Sequence, residues 1–117
     1  MSDTVVIDFD GTIAEWGEYP VPGPPCPGVK EAMQAIKDQG LTIAVLSART
    51  SDQMSKYPID KEMERRRIEE YLIEHEIPYD IVLKSDKPVA RFYIDDRAIE
   101  YRGDWEDVIR KVKEYDE

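Results

Sequence analysis

The chain has little cysteine, few basic residues for its acidic ones, and no long apolar run. Its single cysteine, Cys26, excludes an internal disulfide framework and fits a reducing, cytoplasmic compartment. The single histidine, His75, falls on a helix surface or core edge and reads as structural rather than catalytic. Lys and Arg number 16 against 26 Asp and Glu, giving a net charge of −10 and a pI near 4.6. Duplex nucleic acid and anionic membranes both attract basic surfaces, so neither is favoured as a partner. A phosphorylated small substrate is not excluded, since one metal ion and one lysine make a local positive pocket. No apolar stretch approaches the ~20 residues of a membrane span, and Met1-Ser2-Asp3 lacks the basic opening of a signal peptide. What remains, 117 residues with 41% hydrophobic and 36% charged side chains, is enough for one folded domain with one core. There is no internal repeat, linker or low-complexity tract, and nothing that sets an oligomeric state.

The stretch Val5-Val6-Ile7-Asp8-Phe9-Asp10-Gly11-Thr12 organises the rest. A short β-branched run closed by a turn signal reads as a buried parallel strand. Alternation along a strand puts Asp8 and Asp10 on one side and Phe9 on the other, a rule that becomes approximate as the chain turns at Gly11. Two carboxylates this close repel unless a cation or a shared proton separates them, and a hard, oxygen-seeking ion such as Mg2+ is the simplest resolution.

From Ile13 to Pro27 the density of Gly and Pro excludes a long helix or a central strand. Cys26, between two prolines with no basic neighbour, reads as inert. Gly28 to Gln39 is an amphipathic helix with Val29, Ala32, Met33 and Ile36 on its apolar face and Gly40 at its stop. Leu41 to Leu46 is a second buried strand, and the strand–helix–strand order predicts a parallel, right-handed crossover. Thr50 to Ile59 reads as loop. Asp60 to Glu76 is a charged helix with Met63, Ile68, Tyr71, Leu72 and His75 toward one side. Its Arg65-Arg66-Arg67 triplet is interleaved with glutamates and reads as a solvated, ion-paired face rather than a phosphate site. Tyr79 to Leu83 and Arg91 to Ile94 are strands three and four, separated by a turn over Lys84 to Pro88. A last helix starts near Asp104, a good N-cap, and buries Trp105, Val108, Ile109 and Val112. The fold class is therefore α/β: a single Rossmann-like, three-layer domain spanning the chain, with a parallel sheet of about four strands.

The chemistry-bearing residues fall at strand ends or adjoining turns: Asp8 and Asp10, then Ser47, then Lys87, then Asp95 and Asp96. Open parallel sheets bind ligands outside the C-terminal ends of their strands, so residues distant in sequence converge there. Taken in order, these segments resemble the four motifs of the haloacid dehalogenase superfamily of phosphotransferases, over nearly the whole chain. The resemblance implies that Asp8 is the nucleophile and Asp10 the general acid/base. It implies that Ser47 hydrogen-bonds the phosphoryl group and Lys87 neutralises charge, with Lys84 competing for that role. It makes Mg2+ the cofactor, held by Asp8, Asp10 (through its backbone carbonyl) and the Asp95-Asp96 pair, with Asp96 the direct ligand and Asp95 in the outer shell by family pattern. Gly11 and Thr12 complete the first motif at the substrate.

Dehalogenases of that superfamily lack the second aspartate of the first motif, so Asp10 favours phosphoryl chemistry. Neither interval where the family inserts a cap is long enough for one, and the chain resembles the capless branch. In that family a flap or small hairpin stands where Ile13 to Pro27 lies, placing Trp16 and Tyr19 either against substrate or as anchors. Ser47-Ala48-Arg49 is similar to the Ser-Gly-Arg of polynucleotide 3′-phosphatase domains, which are capless relatives, and implies that Ala48 and Arg49 meet the substrate, with Arg49 gripping phosphate bidentately. The expected function is thus Mg2+-dependent hydrolysis of a phosphomonoester through an aspartyl-phosphate, on a small phosphorylated metabolite or nucleotide. A polynucleotide 3′-phosphatase is the alternative that Arg49 keeps open and the acidic surface opposes. A receiver-like or non-catalytic phospho-ligand module is a third. In receivers, however, the acidic pair closes the first strand and the phosphoacceptor a later one.

Overall fold

The structure, a computed structural model, describes residues 3–18, 20–50, 61–84 and 87–114. Its elements are β1 (Thr4–Asp8), α1 (Val29–Asp38), β2 (Thr42–Leu46), α2 (Lys61–Glu74), β3 (Ile81–Val82), β4 (Phe92–Ile94) and α3 (Trp105–Glu114), with a 3-10 turn at Ala48–Thr50. The four strands form one parallel sheet in the order β3-β2-β1-β4. This is a single-domain, Rossmann-like α/β fold. β1 is central, and Val5, Val6 and Ile7 are all buried, as an apolar run covered on both faces must be. The chain leaves β1 toward β2 and β3 on one side and returns to β4 on the other. A crevice opens where those directions diverge, at the C-terminal ends of β1 and β4.

Register sets one face of the core. Val5 lies opposite Ile43 and Ile7 opposite Val45. Met33 of α1 and Ile68, Tyr71 and Leu72 of α2 close over that row. Each such aliphatic side chain removed from water contributes about 1.5–3 kcal/mol before entropy is counted. α1 begins after Gly28 and stops before Gly40, both with positive φ, as the glycine at a helix end allows. Phe9, on the side opposite Asp8, is buried edge-to-face against Tyr71 with ring centroids 5.1 Å apart. The Pro-rich segment is the small hairpin expected of it. Cys26 donates to the Ile13 carbonyl at 2.8 Å, Glu15 to Pro24 at 2.8 Å and Gly23 to Glu15 at 3.1 Å. Gly17 and Gly23 are required there, because a Cβ on either would stand 2.6 or 2.5 Å from a backbone carbonyl oxygen across the hairpin. The Tyr71 hydroxyl donates to the Gly23 carbonyl and ties this flap to α2.

Four packing expectations are corrected. Ala32 and Met63 are exposed, so the buried stripes of α1 and α2 are narrower than periodicity suggests. Glu64, expected on the solvated face, is 5% exposed, because it turns inward to meet Arg49. α3 starts at its N-cap, with Asp104 Oδ1 accepting from the Glu106 amide at 3.0 Å, yet none of its residues is buried. Its apolar stripe of Trp105, Ile109 and Val112 stands exposed, because no strand or helix among the described residues packs on it. The Arg65–Arg67 triplet does pair with glutamates: Arg65 with Glu62 and Glu69, Arg66 with Glu62, and Arg67 with Glu64. His75 stacks on Tyr71 at the core edge. Among the described residues no helix is long and apolar enough to cross a membrane.

Candidate active site

Asp8 is the last residue of β1, and Asp95-Asp96 follow directly on β4, its parallel neighbour. One carboxylate oxygen from each of Asp8, Asp95 and Asp96 lies within 4.8 Å of the others. The two strand ends thus bring together acids some ninety positions apart in sequence. Burial, followed by the charges of Asp95, Asp96 and Asp10, raises the Asp8 carboxyl from 3.8 to about 7. The set is electrostatically unfavourable as it stands, and its donors are the hard oxygens that a divalent ion such as Mg2+ prefers. The residues present therefore fit such an ion.

The acids are oriented by local bonds. Asp95 Oδ1 accepts from the Arg97 amide at 2.7 Å, and Asp96 Oδ2 accepts from Trp16 Nε1 at 3.3 Å. Arg97 lies over the Trp16 ring, its guanidinium carbon 4.9 Å from the centroid. Gly11 takes φ +86°, and a Cβ there would lie 2.4 Å from Asp96 Oδ2 and 2.6 Å from Trp16 Nε1. Its amide donates to the Ala14 carbonyl at 2.7 Å. The Thr12 hydroxyl is buried with no hydrogen-bond partner among the described residues. A cavity of about 450 Å³ opens beside Asp8 and Asp10, walled by Trp16 and Gly17 of the flap, Ala48 and Arg49 after β2, and Asp95 and Arg97 after β4.

The crevice thus brings together Asp8, Asp10, Gly11, Trp16, Ala48, Arg49, Asp95 and Asp96. Ser47 is buried after β2, its Oγ accepting from the Arg49 amide at 3.0 Å, which fixes its rotamer. Arg49 lines the cavity, and its fork grips the Asp10 carboxylate, a pairing with no local sequence signal because the two lie 39 residues apart. Lys87 is exposed, its ammonium 4.2 Å from the centroid of the Tyr93 ring, and Lys84 lies 4.0 Å from Glu62. Neither lysine lines the cavity. Arg97 was not anticipated, although its place directly after the acidic pair is the signal that could have found it. Tyr19, and the expected loop beyond Thr50, lie outside the described residues. Burial and the Glu15 and Asp96 carboxylates push the Cys26 thiol up, away from reactivity.

No protein-family model matches the chain, and no curated protein matches it. Two solved structures do. A conserved protein from Bacteroides thetaiotaomicron superimposes with a TM-score of 0.64 at 23% identity, covering 96% of this chain and 90% of that one. A crystal structure from Vibrio cholerae superimposes with a TM-score of 0.52 at 24% identity, over 98% and 99% of the two chains. At such identities the likeness establishes the α/β fold and nothing about chemistry.

Proposed function

We propose that the protein is a Mg2+-dependent phosphatase that hydrolyses a phosphomonoester through an aspartyl-phosphate on Asp8. The observation that carries this reading is the convergence of the Asp8, Asp95 and Asp96 carboxylates at two adjacent parallel strand ends, with Asp10 on the loop between strand and flap. Asp8, Asp95 and Asp96 would hold the ion. Bound there, Mg2+ supplies charge neutralisation to the phosphoryl oxygens.

The chain's own residues supply the rest. An Asp8 oxygen attacks phosphorus in line, the bond to the leaving oxygen breaks, and Asp10 gives that oxygen its proton. Asp10 then takes a proton from the water that attacks the phosphorus of the aspartyl-phosphate, freeing inorganic phosphate and restoring the Asp8 carboxylate. Ser47, whose Oγ accepts from the Arg49 amide, is the hydroxyl that would meet a phosphoryl oxygen in this reading. The resemblance assigns charge neutralisation to Lys87 of the β3–β4 connection, with Lys84 its competitor, and either would have to turn in from its place outside the cavity. A small phosphorylated metabolite or nucleotide is the favoured substrate, in a reducing, cytoplasmic setting that suits the lone, half-buried Cys26.

The test is turnover of an aryl phosphate with Mg2+. Activity is expected to vanish with EDTA and in Asp8→Asn. Undiminished turnover by Asp8→Asn, with deamidation excluded by mass spectrometry, would overturn the mechanism.

A further inference from the structure

Arg49 carries a guanidinium into the interior, with only 5% of the residue exposed. Three of the described parts of the chain fix its orientation. Nε and Nη2 donate to the two oxygens of Asp10 at 2.8 and 3.0 Å. Nη1 donates to the Pro20 carbonyl of the flap at 2.7 Å and stands 3.6 Å from Glu64 of α2, itself buried. The arginine backbone is pinned in turn, its amide donating to Ser47 Oγ. A bidentate fork of this kind sets the plane of a carboxylate as well as its position. For Arg49 to grip a substrate phosphate, it would have to leave Asp10 and strand buried charge, which is unfavourable.

We infer that Arg49 is a positioning residue that acts through Asp10, fixing the carboxyl group that gives its proton to the leaving oxygen and, once ionised, takes one back from the attacking water. Through Pro20 it also joins the flap that walls the cavity to that same carboxylate. The inference rests on the phosphatase reading and sharpens it. A general acid must lie within roughly 2.6–3.2 Å of the oxygen it protonates. Without the fork, Asp10 turns freely about its side-chain bonds and loses that geometry.

Leaving-group dependence separates this role from phosphate binding. The value of kcat/KM reports the steps up to departure of the leaving group. An alkyl phosphate needs a proton at that step, whereas p-nitrophenolate departs without one. Arg49→Met is expected to lower kcat/KM for an alkyl phosphate by about 10²-fold or more, the usual scale of general acid catalysis, and for p-nitrophenyl phosphate by less than about tenfold. Asp10→Asn should show the same selectivity, and adding Arg49→Met to it should change little, because both act on one step. Arg49→Lys keeps the charge without the fork; the same selective loss is expected there, and it serves if the Met variant fails to fold. Equal losses on the two esters, or losses that multiply in the double variant, would overturn the assignment and return Arg49 to phosphate binding. Wild-type protein inactive on both esters would instead overturn the phosphatase reading and the assignment with it.

Discussion

Asp8 stands at the end of β1 with its carboxyl raised from 3.8 to about 7, by burial first and then by Asp95, Asp96 and Asp10. The folded protein therefore binds a proton more tightly there than the unfolded chain does. The resulting stability is fully present below about pH 4 and is lost as pH rises through about 7. A divalent ion favours the ionised form and opposes that loss. Thermal melts should show a small effect of Mg2+ near pH 5 and a larger stabilisation at pH 8, and an equal effect at both would count against metal binding by this cluster. Gly11 gives a second test at this scale. Gly11→Ala forces a Cβ into φ +86° and against Asp96 Oδ2, and should destabilise by about 1–3 kcal/mol in denaturant titrations. Of these residues, the acids were legible in the sequence, because parallel strands fix where their ends meet. The clamp on Asp10 was not, because an arginine after β2 can turn toward solvent, substrate or an inner carboxylate, and only packing chooses among them. Glu64 was misplaced for the same reason, since a glutamate amid arginines carries no mark that it faces a buried cation.

Among the elements, α1 and α2 contrast with α3. All three have an apolar stripe at helical spacing, and periodicity announced each of them. Periodicity shows which residues share a face, but not whether anything covers it. Met33 and Leu72 are covered, whereas Ile109 is half exposed. Leu72→Ala should therefore cost about 2–5 kcal/mol as a buried truncation. Ile109→Ala should stay within about 0.5 kcal/mol, as surface changes do. A loss at Ile109 approaching that at Leu72 would mean that α3 is packed in solution against something that this arrangement lacks. The flap was more legible than α3, because its glycines and prolines leave a tight hairpin as one of few options, and the close approach of Gly17 and Gly23 to backbone oxygens shows why those two positions are glycine.

For the whole molecule, charge and openness act against each other on substrate choice. The interval between β1 and β2 is filled by the flap and α1, and the cavity at the strand ends lies between the flap and the turns after β2 and β4. A crevice with no cap over it among the described residues admits a bulky ester, including a polynucleotide end. The net charge of −10 disfavours the many phosphates such a chain brings with it. Each phosphate neutralised by a protein cation releases counterions, so recognition through several phosphates makes binding fall steeply with salt, by a slope of about −0.7 per contact for single strands. With Arg49 committed to Asp10, Arg97 is the other cation that walls the cavity among the described residues, and the two lysines of the β3–β4 connection stand outside it. They are too few for an extended track. Comparing kcat/KM for a mononucleotide 3′-phosphate, a 3′-phosphorylated oligonucleotide and small sugar phosphates across salt concentrations decides the point. We expect shallow dependence for all three and no gain from the longer chain. A strong, salt-sensitive preference for the oligonucleotide would show that the local field of the crevice overrides the charge of the molecule, and that the substrate is a nucleic-acid end.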